Sequence, residues 1–256
     1  MAHRDGVAAV DRALTLLEAF GRGPTSLSLS ELAQATGMVK STVLRLAASL
    51  QRGGFLRRGP DGRYRLGPAL VRLGAHYQAS FEIGDHVTPV LERLARTTGE
   101  SASLYVREGD QRVCLFRANA RRHRLLHFVQ VGTHFRYDSG ASGRVISAFS
   151  EADNPDLEGI RERLVAVSAH DRMIADTAAV AAPVFAAGEA FVGAISLSGP
   201  AMRFTDHALR RLQRAVVGAA ADLTSALGGS RDRYQGALAM CAEGSDADAT
   251  ADRDAT

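Results

Sequence analysis

Cysteine and lysine are scarce in this chain, and long apolar runs are missing. Two cysteines, Cys114 and Cys241, occur in 256 residues. They are too few for a disulfide framework or a cysteine-built metal site. No run reaches the roughly eighteen apolar residues of a membrane-spanning helix, and the N-terminus has no apolar segment of the secretory kind. A soluble, cytoplasmic protein without membrane contact is expected. Glycine-rich phosphate loops are also lacking. The stretch Gly140-Ala141-Ser142-Gly143 does not have the spacing of a nucleophile elbow, and Asp138 and Ser139 before it have no evident base partner. It reads as a tight turn leading into a helix. His123 and His127 are four apart in a segment that alternates like a strand. On a strand that spacing separates them by about 13 Å, too far for one zinc ion. No metal, no cofactor and no catalytic centre are expected.

The charge is unevenly distributed. The net charge is +3, yet residues 1–80 hold eleven Lys/Arg against five Asp/Glu, and the remainder holds twenty against twenty-three. The positive excess lies in the first third, as counterion release on DNA would favour. Lys40 is the only lysine.

That first third contains an ordered pattern. Val7 to Phe20 is an amphipathic helix, with Val10, Leu14, Leu17 and Phe20 expected to face the core. A Gly/Pro/Ser-rich loop follows to Leu27. Ser30 is a candidate N-cap with Glu31 in the first turn, and Leu32, Ala33 and Ala35 give that helix an apolar face. Gly37 stands where a helix-turn-helix needs positive φ. The next helix, about Val39 to Arg52, should bury Val43, Leu44, Leu46, Ala47 and Leu50. Lys40, Ser41, Thr42 and Arg45 lie near its N-terminal end, the end that meets bases and phosphates. After Gly53-Gly54, two short runs flank Gly59-Pro60-Asp61-Gly62, a strong hairpin signal. Arg57, Arg58, Arg63 and Arg65 make that hairpin a basic wing for phosphate or minor groove.

Pro68 opens a further helix to Ala79, and Gly84 and Asp85 suggest a break. Beyond it, Val87–Thr98 reads as a helix ended by Gly99. Ala102–Arg107 and Arg112–Arg117 read as strands around Glu108-Gly109-Asp110. Leu125–Val131 is a third strand candidate. Ser142–Phe149 and Leu157–Ala166 look helical. Ala178–Phe185 and Phe191–Leu197 form another strand pair, and Thr205 caps a last helix reaching Leu227. This α+β order predicts an antiparallel sheet with helices on one side or at its ends. Residues from about 240 are expected to be disordered. Arg121, Arg122 and Arg124 form a basic turn.

The pieces VDRALTLLEAF, LSLSELAQATGMVKSTVLRL, GFLRRGPDGRYRLG, LARTTGE, SGASGR, AAPVF and AISLSGP lie in family order. On them the chain resembles the IclR family of bacterial transcriptional regulators from about Val10 to Leu227. The resemblance implies a winged helix-turn-helix (1–67), a linker helix (68–81) and a GAF-like effector-binding domain with an antiparallel sheet (82–228), before a C-terminal tail (229–256). It also implies homodimers that pair into tetramers on a DNA operator, a small-molecule effector, and repression as the commoner mode. Carried over by position, the effector residues are Ala141, Ser142, His170, Asp171, Ala179, Ser196 and Ser198. Ser196 and Ser198 alternate on one strand and so share a face. With backbone N–H groups of the Gly140–Gly143 turn they could hold a carboxylate or carbonyl. One departure stands out: between Gly143 and Val167 the chain runs roughly 25 residues shorter than typical members, which there carry helices over the pocket.

The expected function is therefore a ligand-responsive regulator answering to a carboxylate or aromatic metabolite. An enzyme or cofactor-dependent sensor with an appended DNA module would need a titratable or metal constellation in the second domain. A DNA-bridging structural protein would bind no ligand.

Overall fold

The computed structural model describes residues 6–21, 24–79, 83–120, 129–151, 154–168 and 176–241. The chain divides into two compact units, Met1–Phe81 and Glu82–Thr256. His123, His127, His170, Asp171, Arg121, Arg122, Arg124 and the acidic end from 242 lie outside the described residues.

The first unit opens with α1 (Ala8–Glu18), α2 (Leu29–Thr36) and α3 (Lys40–Arg52). Its core joins Leu16 and Phe20 to Leu32, Val43, Ala47, Leu56 and Tyr64. The inward stripe of α1 differs from the expected one: Leu16 is fully buried, while Val10 is 54% and Leu14 53% exposed. Apolar residues fill two adjacent stripes of this helix, and only one can face α2 and α3. Leu44, expected in the core, is 43% exposed. Val43 and Ala47, one turn apart, already carry the inward face of α3. Ala35 is exposed as well.

The cap of α2 is Ser28 rather than Ser30. Ser28 Oγ accepts from the Glu31 N–H, and the Glu31 carboxylate accepts from the Ser28 N–H. This reciprocal box satisfies two otherwise orphaned donors. Gly37 ends the helix at φ +68°, as the turn requires. Strands β1 (Leu56–Arg58) and β2 (Tyr64–Leu66) pair antiparallel with Arg57 opposite Arg65, and α4 (Pro68–Ala79) follows.

The second unit contains α5 (Gly84–Thr98), β3 (Ser101–Glu108), β4 (Gln111–Ala118), β5 (His134–Arg136), α6 (Gly140–Ser150), α7 (Glu158–Arg163), β6 (Ala166–Ser168), β7 (Thr177–Phe185), β8 (Phe191–Pro200) and α8 (Asp206–Ala226). The sheet runs β5-β4-β3-β8-β7-β6, with neighbours antiparallel. Its register sets Ser103 opposite both Arg117 and Ser196, and Ser101 opposite Ser198, which in turn faces Ala179. These side chains share one face. Helix α6 lies on that face, packing Ala141 and Val145 with Tyr105, Cys114, Ala181 and Ala194. The alternating residues Leu104, Val106, Val180, Ile195 and Leu197 are buried too, beneath α5 and α8, which pack on the central strands. The sheet is thus covered on both faces, contrary to the one-sided expectation. Six consecutive buried residues in β3 are the consequence.

Two other expectations need correction. Of the strand expected at Leu125–Val131, residues 125–128 lie outside the described residues and 129–131 are not a strand; β4 pairs on its outer side with β5, reached after a turn at Gly132 with φ +85°. The helix expected to Ala166 stops at Arg163, because Leu164 takes φ +50°, and Ala166–Ser168 joins the sheet. Beyond Leu227 the chain docks again: Tyr234 is fully buried and its hydroxyl donates to the Pro183 carbonyl at 2.7 Å.

Candidate nucleic-acid interface and ligand cavity

Helix α3 presents Lys40, Ser41, Leu44, Arg45 and Ala48 as exposed residues, with Thr42 half-buried. Ser41, Leu44, Arg45 and Ala48 recur at helical spacing and form one outward face. The N-cap residue Val39 offers no side-chain hydrogen bond. The Thr42 N–H donates to the Val39 carbonyl, and the positive end of the helix dipole is left to meet an anion, with Lys40 beside it. Leu44, whose apolar character signals a core position, is instead exposed in the middle of this face, with the shape and apolar character to meet a thymine methyl.

The four wing arginines separate into two pairs. Arg57 and Arg58 are exposed; Arg58 donates to the Gly62 carbonyl at 3.0 Å and its guanidinium lies 5.5 Å from the Tyr64 ring centroid. Arg63 turns inward, donating to Ser26 and, at 2.7 Å, to the Glu31 carboxylate. Arg65 clamps Asp61 through two bonds of 3.1 and 2.7 Å. Glu31 thus caps α2 and holds the wing with one carboxylate. The hydrogen bond from Arg65, then the Arg63 N–H, pull the Asp61 carboxyl down to about 2. The Ser28 N–H first, then the Ser28 hydroxyl and Arg63, hold Glu31 below its ordinary value.

A depressed carboxyl stabilises the fold above its unfolded pKa and loses that contribution as pH falls through the folded value. The Asp61 clamp is accordingly expected to be intact at pH 5 and lost between about 4 and 2. An NMR titration of the Asp61 carboxyl checks this; a midpoint at the unperturbed 3.8 would show that the clamp does not form.

A cavity of the second unit lies between the sheet and the start of α6. Tyr105, Arg112, Val129, Phe135, Ala141, Ser142, Thr177, Ala178, Ala179, Ser196 and Ser198 line it, and it has a volume of about 30 Å³. Of the seven residues expected at an effector site, it gathers Ala141, Ser142, Ala179, Ser196 and Ser198. His170 and Asp171 are outside the described residues. Ser196 Oγ donates to the Val180 carbonyl at 3.1 Å, so this hydroxyl also serves the sheet.

Gly140 and Gly143 build the turn that carries Ala141 and Ser142 to the cavity. Gly140 has φ +65°. A Cβ on Gly143 would stand 2.7 Å from the Tyr137 carbonyl oxygen and from Asp138 C, so only glycine permits the 137–139 segment to lie against α6.

Arg112 carries no local signal of its role and was missed in the sequence. It is 4% exposed. Its Nε donates to Ser142 Oγ at 2.9 Å, and its Nη1 to the Arg136 carbonyl and Ser139 Oγ. Its guanidinium also lies over Phe135 and Tyr105, at 4.7 and 5.2 Å from the ring centroids. It ties β4 to the start of α6 and lines the cavity with positive charge. Burial raises the neighbouring Cys114 thiol to about 11, so at neutral pH it remains a thiol. Among the described residues, no three His, Cys, Asp or Glu side chains converge on a metal-sized site, and no helix is long and apolar enough to cross a membrane.

Comparison with known proteins identifies both units. The model of the IclR helix-turn-helix domain matches residues 9–60, and that of the bacterial transcriptional regulator IclR C-terminal matches 75–156 and 154–225. The second match breaks inside the interval where the sequence runs short. The HTH-type transcriptional regulator BhcR of Paracoccus denitrificans is 28% identical over 254 aligned positions, covering 89% of this chain and 90% of that protein. Since 89% of 256 residues is about 228, about 26 of those positions have no counterpart here. The acetate operon repressor of Salmonella typhimurium is 26% identical, covering 88% of this chain and 92% of that one. The structure of an IclR homologue complexed with 4-hydroxybenzoate, from Microbacterium hydrocarbonoxydans, shares the fold with a TM-score of 0.66 at 20% identity, covering 85% of this chain and all of that one. With a recognition helix exposed in one unit and the matched C-terminal domain forming the other, the chain belongs to the IclR family of bacterial transcriptional regulators, DNA-binding proteins and not enzymes.

Proposed function

We propose that this regulator is a ligand-responsive repressor that works in the cytoplasm and binds a palindromic operator as a homodimer or a pair of homodimers. Lys40, Ser41, Thr42 and Arg45 contact the major groove, with Leu44 among them. Arg57 and Arg58 contact the flanking backbone, while Arg63 and Arg65 brace the wing for it. A small metabolite, a carboxylate or aromatic compound, occupies the cavity under α6. By favouring one arrangement of the protein over another, it changes operator affinity. A differential of about 1–3 kcal/mol gives a 5- to 150-fold change.

The observation that carries this reading is the convergence of five expected effector residues on one polar-floored cavity. Assembly is supported by apolar side chains left outside the first core: Val7, Val10 and Leu14 at helical spacing near α1, and Val71, 76% exposed, on α4.

Replacing Ser196 and Ser198 together by alanine is expected to abolish ligand response and spare operator binding. Fluorescence anisotropy on the DNA upstream of the gene, titrated with organic and aromatic acids, measures both. A double variant that responds as the wild type does would move the ligand site elsewhere.

A further inference from the structure

Arg117 is a half-buried charge whose guanidinium is incompletely satisfied among the described residues. It stands on β4, on the same sheet face as the cavity floor, directly across from Ser103. Its Nε donates to Asn119 Oδ1 at 2.7 Å and its Nη1 to Ser103 Oγ at 2.8 Å. Its Nη2 is buried and has no hydrogen-bond partner among the described residues. A buried donor left unmet is costly and is normally occupied. Burial also lowers the guanidinium from its ordinary pKa, so the fold itself disfavours this charge.

The place of that donor gives it a use. Ser103 is opposite Ser196, which lines the cavity. The guanidinium resting on Ser103 is therefore about one strand spacing, roughly 4.8 Å, from the cavity floor. Arg112 differs: its Nε and Nη1 already serve Ser142, Ser139 and the Arg136 carbonyl. A cavity of about 30 Å³ holds about two waters. A metabolite must widen it toward Ser103 and Arg117, which lie beside its present lining; the donor an acidic group finds there is Arg117 Nη2, since the Ser196 hydroxyl is given to the Val180 carbonyl.

We propose that Arg117 is the anion-recognising residue of the ligand site, and that the ligand is a small organic acid whose carboxylate enters between Arg117 and Ser196, its remainder lying toward Tyr105 and α6. This rests on the ligand-responsive reading above. It goes further by excluding neutral aromatics and by orienting the acid toward β4, away from the α6 turn.

The test uses the full-length protein and three acid–amide pairs: acetate and acetamide, succinate and succinamide, benzoate and benzamide. Thermal shift and calorimetry are run on the wild type and on Arg117→Met, Arg117→Gln and Arg117→Lys. At least one acid is expected to bind the wild type and its amide not. In the Met and Gln variants that acid should bind roughly 10- to 100-fold more weakly, the loss of one charge-assisted hydrogen bond, with part of the affinity kept in the Lys variant. Operator binding without ligand should be unchanged in each. Equal binding of acid and amide, undiminished acid binding in a folded Met or Gln variant, or no acid binding at all would overturn the assignment. The acid–amide comparison needs no variant, so it decides the matter even if the substitutions fail to fold. If a neutral compound binds and releases the operator, the regulator reading stands and the role of Arg117 falls; if nothing tested alters operator affinity while acids still bind, the reverse holds.

Discussion

Arg45→Ala is expected to weaken operator binding about 10- to 100-fold and to leave the melting temperature unchanged. Arg45 is exposed on the outward face of α3, one turn from Ser41, so its removal opens no cavity. The inward face, Val43 and Ala47, is untouched. The form of the loss is informative. If Arg45 pairs with a guanine, discrimination at one operator position relaxes. If it neutralises a phosphate, affinity falls evenly across sequences and the salt slope drops by about 1. Binding measured at several salt concentrations on a set of single-position operator variants separates the two. Undiminished affinity in a folded variant would remove α3 from the groove.

Gly143→Ala should destabilise the second unit by about 1–3 kcal/mol, the usual cost of forcing volume into a packed site, and should abolish ligand response. The new Cβ would meet Tyr137 and Asp138 backbone at 2.7 Å. Because the contact is with backbone, no rotamer relieves it. The 137–139 segment must lift, carrying Ser139 away from Arg112 and Ser142 away from the cavity. Gly218 provides the control. It too lies within a helix, α8, but a Cβ there meets nothing within 4 Å. Gly218→Ala should therefore stabilise by up to about 1 kcal/mol through helix propensity alone. Chemical denaturation of the two variants should give opposite signs. The same sign in both would mean that Gly143 is not held by close approach.

Features set by near neighbours are legible in the amino-acid order. Gly37, the Asp61-Gly62 hairpin and Thr205 as the cap of α8 depend on a few adjacent residues and stand where expected. The shared face of Ser196 and Ser198 follows from strand alternation alone. Where two local choices have similar merit, the sequence does not separate them. Ser28 and Ser30 are both good caps, and the choice of Ser28 depends on Glu31 being three residues on. Val10 and Leu14 are as apolar as Leu16, and packing against α2 and α3 selects between the stripes.

The amino-acid order by itself determined the winged helix-turn-helix, the strand-rich second unit, the concentration of positive charge in the first third, and most of the cavity floor. The first three follow from periodicity, turn chemistry and composition, which act over a few residues; the cavity floor was expected only from the family resemblance. Tertiary structure alone decided what each arginine does. Arg63 reaches Glu31 across 32 positions, Arg112 reaches Ser142 across 30, and Arg117 reaches Ser103 across 14. A guanidinium is long and always charged, so its role is set by whichever oxygens the fold brings within hydrogen-bond distance. That depends on sheet register and helix placement, which join distant parts of the chain and have no local signature.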